Sequence, residues 1–233
     1  MSQKTASLLR KIALVLFGLA VAFTLLGGLG TTCVAFNAQA YGKAFEKFIA
    51  YKFEYQMLVY VGIVTGLVGL VALWGMVKGK KWAYLLGLLV LLVGVAAALA
   101  QMYYTSTIKQ VSFFKTAPTN MRMYTTLLSL IVMLIVRVPG IWKHVDFTKA
   151  SSKSSAGPAA GLTACAMGIL TVTTPLWAGA SHMVDGYNTV YVLGWQLLVA
   201  GGAMIVGGIV ALAPEWLWAP ARRVIARLSH ERA

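Results

Sequence analysis

His182 and Asp185 stand three residues apart, with Trp177, Tyr187 and Asn188 around them, and no other group in this chain is better suited to chemistry. A carboxylate beside an imidazole fixes the ring's tautomer and raises its basicity, as carboxylates behind metal-bound histidines do. The aromatics could shelter the ring of a quinone or pigment, so Trp177, His182, Asp185 and Tyr187 form the candidate cofactor-binding set. The same residues also suit a polar turn cornered at Asp185-Gly186, with aromatics at a membrane interface.

Other chemistry has little to stand on. No phosphate-cradling glycine loop, HExxH, CxxC or CxxCH motif occurs. A membrane b-type haem commonly needs two histidines at one depth. Here His144 and His230 fall on one side of the expected topology and His182 on the other. The residues therefore name no cofactor and no metal site, and they point away from an enzyme. Cys33 and Cys165 belong to different depths of different helices, which predicts two packing cysteines rather than a disulfide.

The elements that must position these residues are membrane helices. Of the 233 residues 59% are hydrophobic and 11% charged, whereas about a quarter of a soluble protein's residues are charged. Tyr55–Val77 and Trp82–Tyr104 are uncharged runs of 23 residues joined by Lys78-Gly79-Lys80-Lys81. A helix needs roughly 20 residues to cross the hydrocarbon, so each run suffices and the short turn demands an antiparallel hairpin. Its lysines place that turn inside by the positive-inside rule.

The expected fold is an all-α integral membrane protein, a single polytopic bundle of six transmembrane helices with short interfacial amphipathic helices. The spans fall at about residues 11–36, 55–77, 82–104, 123–142, 159–180 and 189–213. The first begins like a signal sequence but is far longer than a signal's apolar core, which makes it a retained helix. Residues 41–54 read as an amphipathic segment lying outside, on the membrane surface or on the protein's own loops. Residues 214–233 read as a basic tail drawn to anionic lipid headgroups at the inner face. Of the 20 Lys and Arg, 14 then lie inside and 6 outside, which predicts a plasma (inner) membrane of bacterial type with both termini cytoplasmic. Topology accounts for the net charge of +14, so nucleic acid is not an expected partner.

Ionisable residues are scarce within the spans. Only Arg137 falls inside one, and snorkelling to the inner headgroups explains it, with Asp146 as an alternative partner. Met102 to Arg122 reads as an outer loop. Gly62-x-x-x-Gly66, and Ala203, Gly207 and Ala211 at the same spacing, suggest close helix packing. Thr31-Thr32-Cys33 and Thr173-Thr174-Pro175 occupy similar places before outer loops, a faint sign of a hairpin repeat.

The leading expectation is a non-catalytic membrane subunit or scaffold of a larger complex, packed against other membrane subunits in the lipid bilayer and sharing a lipid, quinone or pigment pocket. The alternatives are a small-solute transporter with a polar path through Thr65, Gln101, Thr125, Thr126, Thr171, Thr173 and Gln196, and a redox protein using His182.

Overall fold

The computed structural model describes residues 1–41, 43–116, 118–149, 153–178, 183–184, 187–188, 190 and 194–213. Among them the chain is helical apart from one two-residue antiparallel pair, β1 (Met183–Val184) with β2 (Tyr187–Asn188). Five of the described helices are long and apolar enough to cross a membrane.

The first helix, α1, runs Gln3–Asn37, capped where the Ser2 hydroxyl accepts the Thr5 N–H. After a 3-10 turn (Ala38–Tyr41), a short α2 (Lys43–Glu46) and a second 3-10 turn (Ile49–Tyr51), α3 covers Lys52–Val77. The described residues of 41–54 are thus short helical turns leading into α3 rather than one amphipathic helix. Phe45 and Phe48 are buried with Tyr55 and Ile108, so the apolar residues cover the bundle's own end.

The basic turn after α3 is built by Gly79. Its φ of 70° is open to glycine at little cost. Lys80 N–H then reaches the Gly75 carbonyl and Gly79 N–H the Met76 carbonyl, the paired bonds of a Schellman stop. Helix α4 returns at once over Ala83–Lys109. It passes the expected end at residue 104, because Thr, Ser and Ile continue the helix until Gln110 turns left-handed at φ 53°.

Helix α5 covers Thr119–Val136 and stops short of residue 142 because Pro139 forces Val138 into extended backbone (φ −54°, ψ 130°). The short α6 (Pro139–Val145) follows. The expected fifth span is two helices, α7 (Lys153–Val172) and α8 (Thr174–Ala178). Pro175 has no N–H to offer the Thr171 carbonyl, which suits the break at Thr173. The apolar part of α7, Pro158–Val172, is shorter than the other candidate crossings. Helix α9 (Gly194–Leu212) completes the described bundle, and the basic tail 214–233 lies outside the described residues.

Helix α1 is the hub, packing on α3, α5 and α7, while α9 packs on α7. Small residues set the α1–α3 and α7–α9 seams. A Cβ on Gly62 would meet the Gly28 Cα at 3.1 Å, and one on Gly66 would meet the Leu25 Cα at 2.9 Å. Gly62 and Gly66 therefore pack as their spacing suggests. On α9 the close positions are Gly201 and Gly208, facing Gly168 and Gly161 of α7. Ala203, Gly207 and Ala211 are exposed, on the opposite face.

Two apolar clusters hold the ends. At the basic-turn end, Phe17, Met76, Leu91, Met133 and Phe147 are fully buried. Tyr84 donates its hydroxyl to the Met133 carbonyl (2.7 Å), freed because Arg137 N–H turns to Leu134 instead. Arg10 donates to the Met76 and Lys149 carbonyls and lies 5.3 Å from the Phe147 ring centre, tying α1 to both turns. At the other end, Tyr55 and Thr105 share a hydroxyl hydrogen bond of 2.8 Å between α3 and α4.

Candidate functional site

Between the two clusters lies a cavity of about 960 Å³. Its walls come from α1 (Phe23, Leu26, Gly27, Leu29 to Val34), the ends of α3 and α4 (Tyr55, Gln101, Thr105, Lys109), the start of α5 (Thr119, Arg122), α7 and α8 (Met167, Leu170, Thr171, Thr174, Trp177), and Val190 and Leu197. Phe45 and Phe48 roof it.

Most of the polar side chains on this wall are already engaged. The hydroxyls of Thr31, Thr32, Thr171 and Thr174 turn back to the carbonyls of Gly27, Gly28, Met167 and Leu170, each four residues earlier. Threonines bonded in this way are compatible with an apolar environment. Gln101 donates to the Thr31 hydroxyl at 3.0 Å, linking α4 to α1.

Arg122 differs. Its side chain is 3% exposed, and its Nε and Nη2 have no hydrogen-bond partner among the described residues. A Cβ on Gly27 would fall 2.7 Å from Nη1 and 3.0 Å from Cδ, so the guanidinium lies directly on the α1 backbone. None of the described residues lining the cavity is acidic. A second cation, Lys109, is exposed at the edge, its Nζ 5.9 Å from the Phe48 ring centre.

Of the candidate set, His182 and Asp185 lie outside the described residues. Tyr187 is placed by its backbone, opposite Val184 in the β pair. Trp177 lines the cavity and donates its indole N–H to the Leu170 carbonyl at 3.1 Å. The two threonine motifs also meet here, since Thr31, Thr32 and Cys33 face the same space as Thr174. Cys33 and Cys165 are unpaired. Among the described residues no three His, Cys, Asp or Glu side chains converge to hold a metal.

Arg137 is exposed, its guanidinium carbon 4.5 Å from the Trp142 ring centre, while Asp146 pairs with Lys149 at 3.5 Å. Arg122 is the cavity residue that the sequence pattern left in a loop. Its signal lies in the register of Thr119, Arg122, Thr126, Ser129, Met133 and Val136, which are all buried at helical spacing. Taking α5 from residue 123 cut that stripe before the arginine.

Comparison with protein-family models, curated proteins and solved structures finds no match to this chain.

Proposed function

We propose that this chain is a non-catalytic integral membrane protein that holds a lipid-like amphiphile between its helices. The cavity carries this reading. At about 960 Å³ it lies near the top of the range for small-molecule sites, ~300–1,000 Å³. Its wall is mainly apolar, with threonine hydroxyls turned to their own helices. Of the seven polar residues that might line a solute path, Gln101 and Thr171 border the cavity, while Gln196 is exposed and Thr65, Thr125, Thr126 and Thr173 lie elsewhere. That distribution favours a pocket over a passage.

In this reading α7 and α8 together form the fifth of six crossings. Pro158–Val172 and Thr174–Ala178 together give about 20 residues, a rise of about 30 Å, near the thickness of the hydrocarbon. The Lys78–Lys81 turn and both termini face the cytoplasm of a bacterial plasma membrane, which sets the cavity in the outer half of the bilayer.

A second reading, a subunit of a larger complex, is favoured by α9. Gly202 and Gly207 have no neighbour within 4 Å of an added Cβ, and Ala203 and Ala211 are exposed. A helix of another subunit could approach closely there.

Mild-detergent extraction followed by native mass and lipid identification tests both. One chain retaining a stoichiometric amphiphile supports the pocket, and a stoichiometric hetero-complex supports the subunit. Loss of all lipid under conditions that preserve the fold refutes the pocket.

A further inference from the structure

An unpaired guanidinium is among the costliest groups to keep away from water, and such a group persists where something pairs it. Resting on the pocket reading above, we infer that Arg122 anchors the anionic head, a phosphate or carboxylate, of an amphiphile whose hydrocarbon lies along the apolar wall of the cavity. Arg122 is 3% exposed, and its Nε and Nη2, which have no hydrogen-bond partner among the described residues, share one edge of the guanidinium. Both nitrogens are closed to solvent where they lie, so the edge meets two oxygens of a phosphate or carboxylate side by side once the side chain swings toward the cavity that Arg122 lines.

The surroundings select the same chemistry. Gly27 gives the guanidinium its seat, since any side chain there would strike Nη1 at 2.7 Å. Lys109 adds a second positive charge at the cavity's edge, and no described lining residue is acidic. The tail has a matching wall in Leu26 and Leu29, which line the cavity yet are 42% and 52% exposed. Apolar side chains on this wall are therefore accessible to a hydrocarbon chain. A soluble oxyanion would use the arginine and leave that wall empty, whereas an amphiphile uses both.

The test titrates the purified full chain in neutral detergent and counts bound molecules by native mass spectrometry. The probes are dioctanoyl phosphatidic acid, dioctanoylglycerol as its neutral counterpart, and inorganic phosphate. The wild type should bind one phosphatidic acid about tenfold or more tighter than dioctanoylglycerol. Arg122→Gln should lose that preference and keep its binding of dioctanoylglycerol. Gly27→Ala retains the charge but displaces the guanidinium, a movable side-chain end, so it should lose the preference too. It keeps the test decisive if Arg122→Gln does not fold. Equal wild-type affinity for the two lipids overturns the anchor and leaves the pocket standing, while binding of neither overturns the pocket itself. Inorganic phosphate binding as tightly as phosphatidic acid overturns the assignment to an amphiphile.

Discussion

The α7–α9 seam makes a sharp prediction, because the atoms opposing its glycines include, beside the Cys165 and Ile205 side chains, backbone atoms that cannot rotate away. A Cβ on Gly168 would lie 2.6 Å from the Gly201 carbonyl oxygen, and one on Gly208 would lie 2.7 Å from the Gly161 carbonyl oxygen. Ordinary contact begins at 3.4 Å, so one methyl forces the helices apart by roughly 0.7–0.8 Å at that point. Overpacking of this kind costs about 1–3 kcal/mol. Removing a helical glycine returns at most about 1 kcal/mol, so Gly168→Ala and Gly208→Ala should both lower stability, by up to about 2 kcal/mol. Gly207→Ala is the internal control, with nothing within 4 Å, and should be neutral or slightly stabilising. Gly168→Ala with Gly201→Ala should cost less than the sum, because the first methyl opens the gap that the second needs. The assay is reversible unfolding of the detergent-solubilised protein in sodium dodecyl sulfate, followed by tryptophan fluorescence. If Gly168→Ala and Gly207→Ala unfold at the same midpoint, the backbone-contact account of the seam is wrong.

Three further outcomes follow from single groups. Ser129 buries a hydroxyl with no partner among the described residues, so Ser129→Ala should be neutral or stabilising by up to about 1 kcal/mol in the same titration; a clear loss would contradict this. Tyr84→Phe removes the donor to the Met133 carbonyl at 2.7 Å and should cost about 1 kcal/mol, and an unchanged midpoint would rule out that bond as a cap on α5. Burial pushes the Asp146 carboxyl up, but hydrogen bonds from the Thr148 hydroxyl and N–H and from Lys149 outweigh it and hold it below its usual value. Its contribution is therefore fully present above the unfolded value, about 3.9, and is lost as pH falls through the lower folded value. Asp146→Asn should flatten this acid limb of thermal stability, and limbs of equal slope would contradict the assignment.

The apolar runs revealed the long helices because a 20-residue stretch without charge has few other uses, and the Lys78–Lys81 hairpin followed from its shortness. Helix ends were less legible. Tyr103 to Lys109 carries polar and aromatic residues that resemble a loop, yet nothing in it breaks a helix before Gln110. Residues 41–54 have amphipathic spacing, but the tertiary contacts of Phe45 and Phe48 with Tyr55 decide their conformation. On α9 the small residues were visible, but the choice of Gly201 and Gly208 over Gly207 depends on which face meets α7. The cavity was hidden for the same reason, since its walls come from segments as distant as Phe23 and Leu197. Trp177 reached the site from the aromatic cluster, and Arg122 came from outside it.

The hub position of α1 sets an order of manufacture for the cavity. Arg122 and Gly27 are both in place once α5 has been made, but Met167, on the opposite wall, comes 45 residues later. At about 5–20 residues per second that gap is several seconds, during which the arginine, in the membrane reading, faces the bilayer without its far wall. An anionic headgroup gathered then would be enclosed as α7 and α9 arrive. The first occupant would be taken up while the protein is still being made.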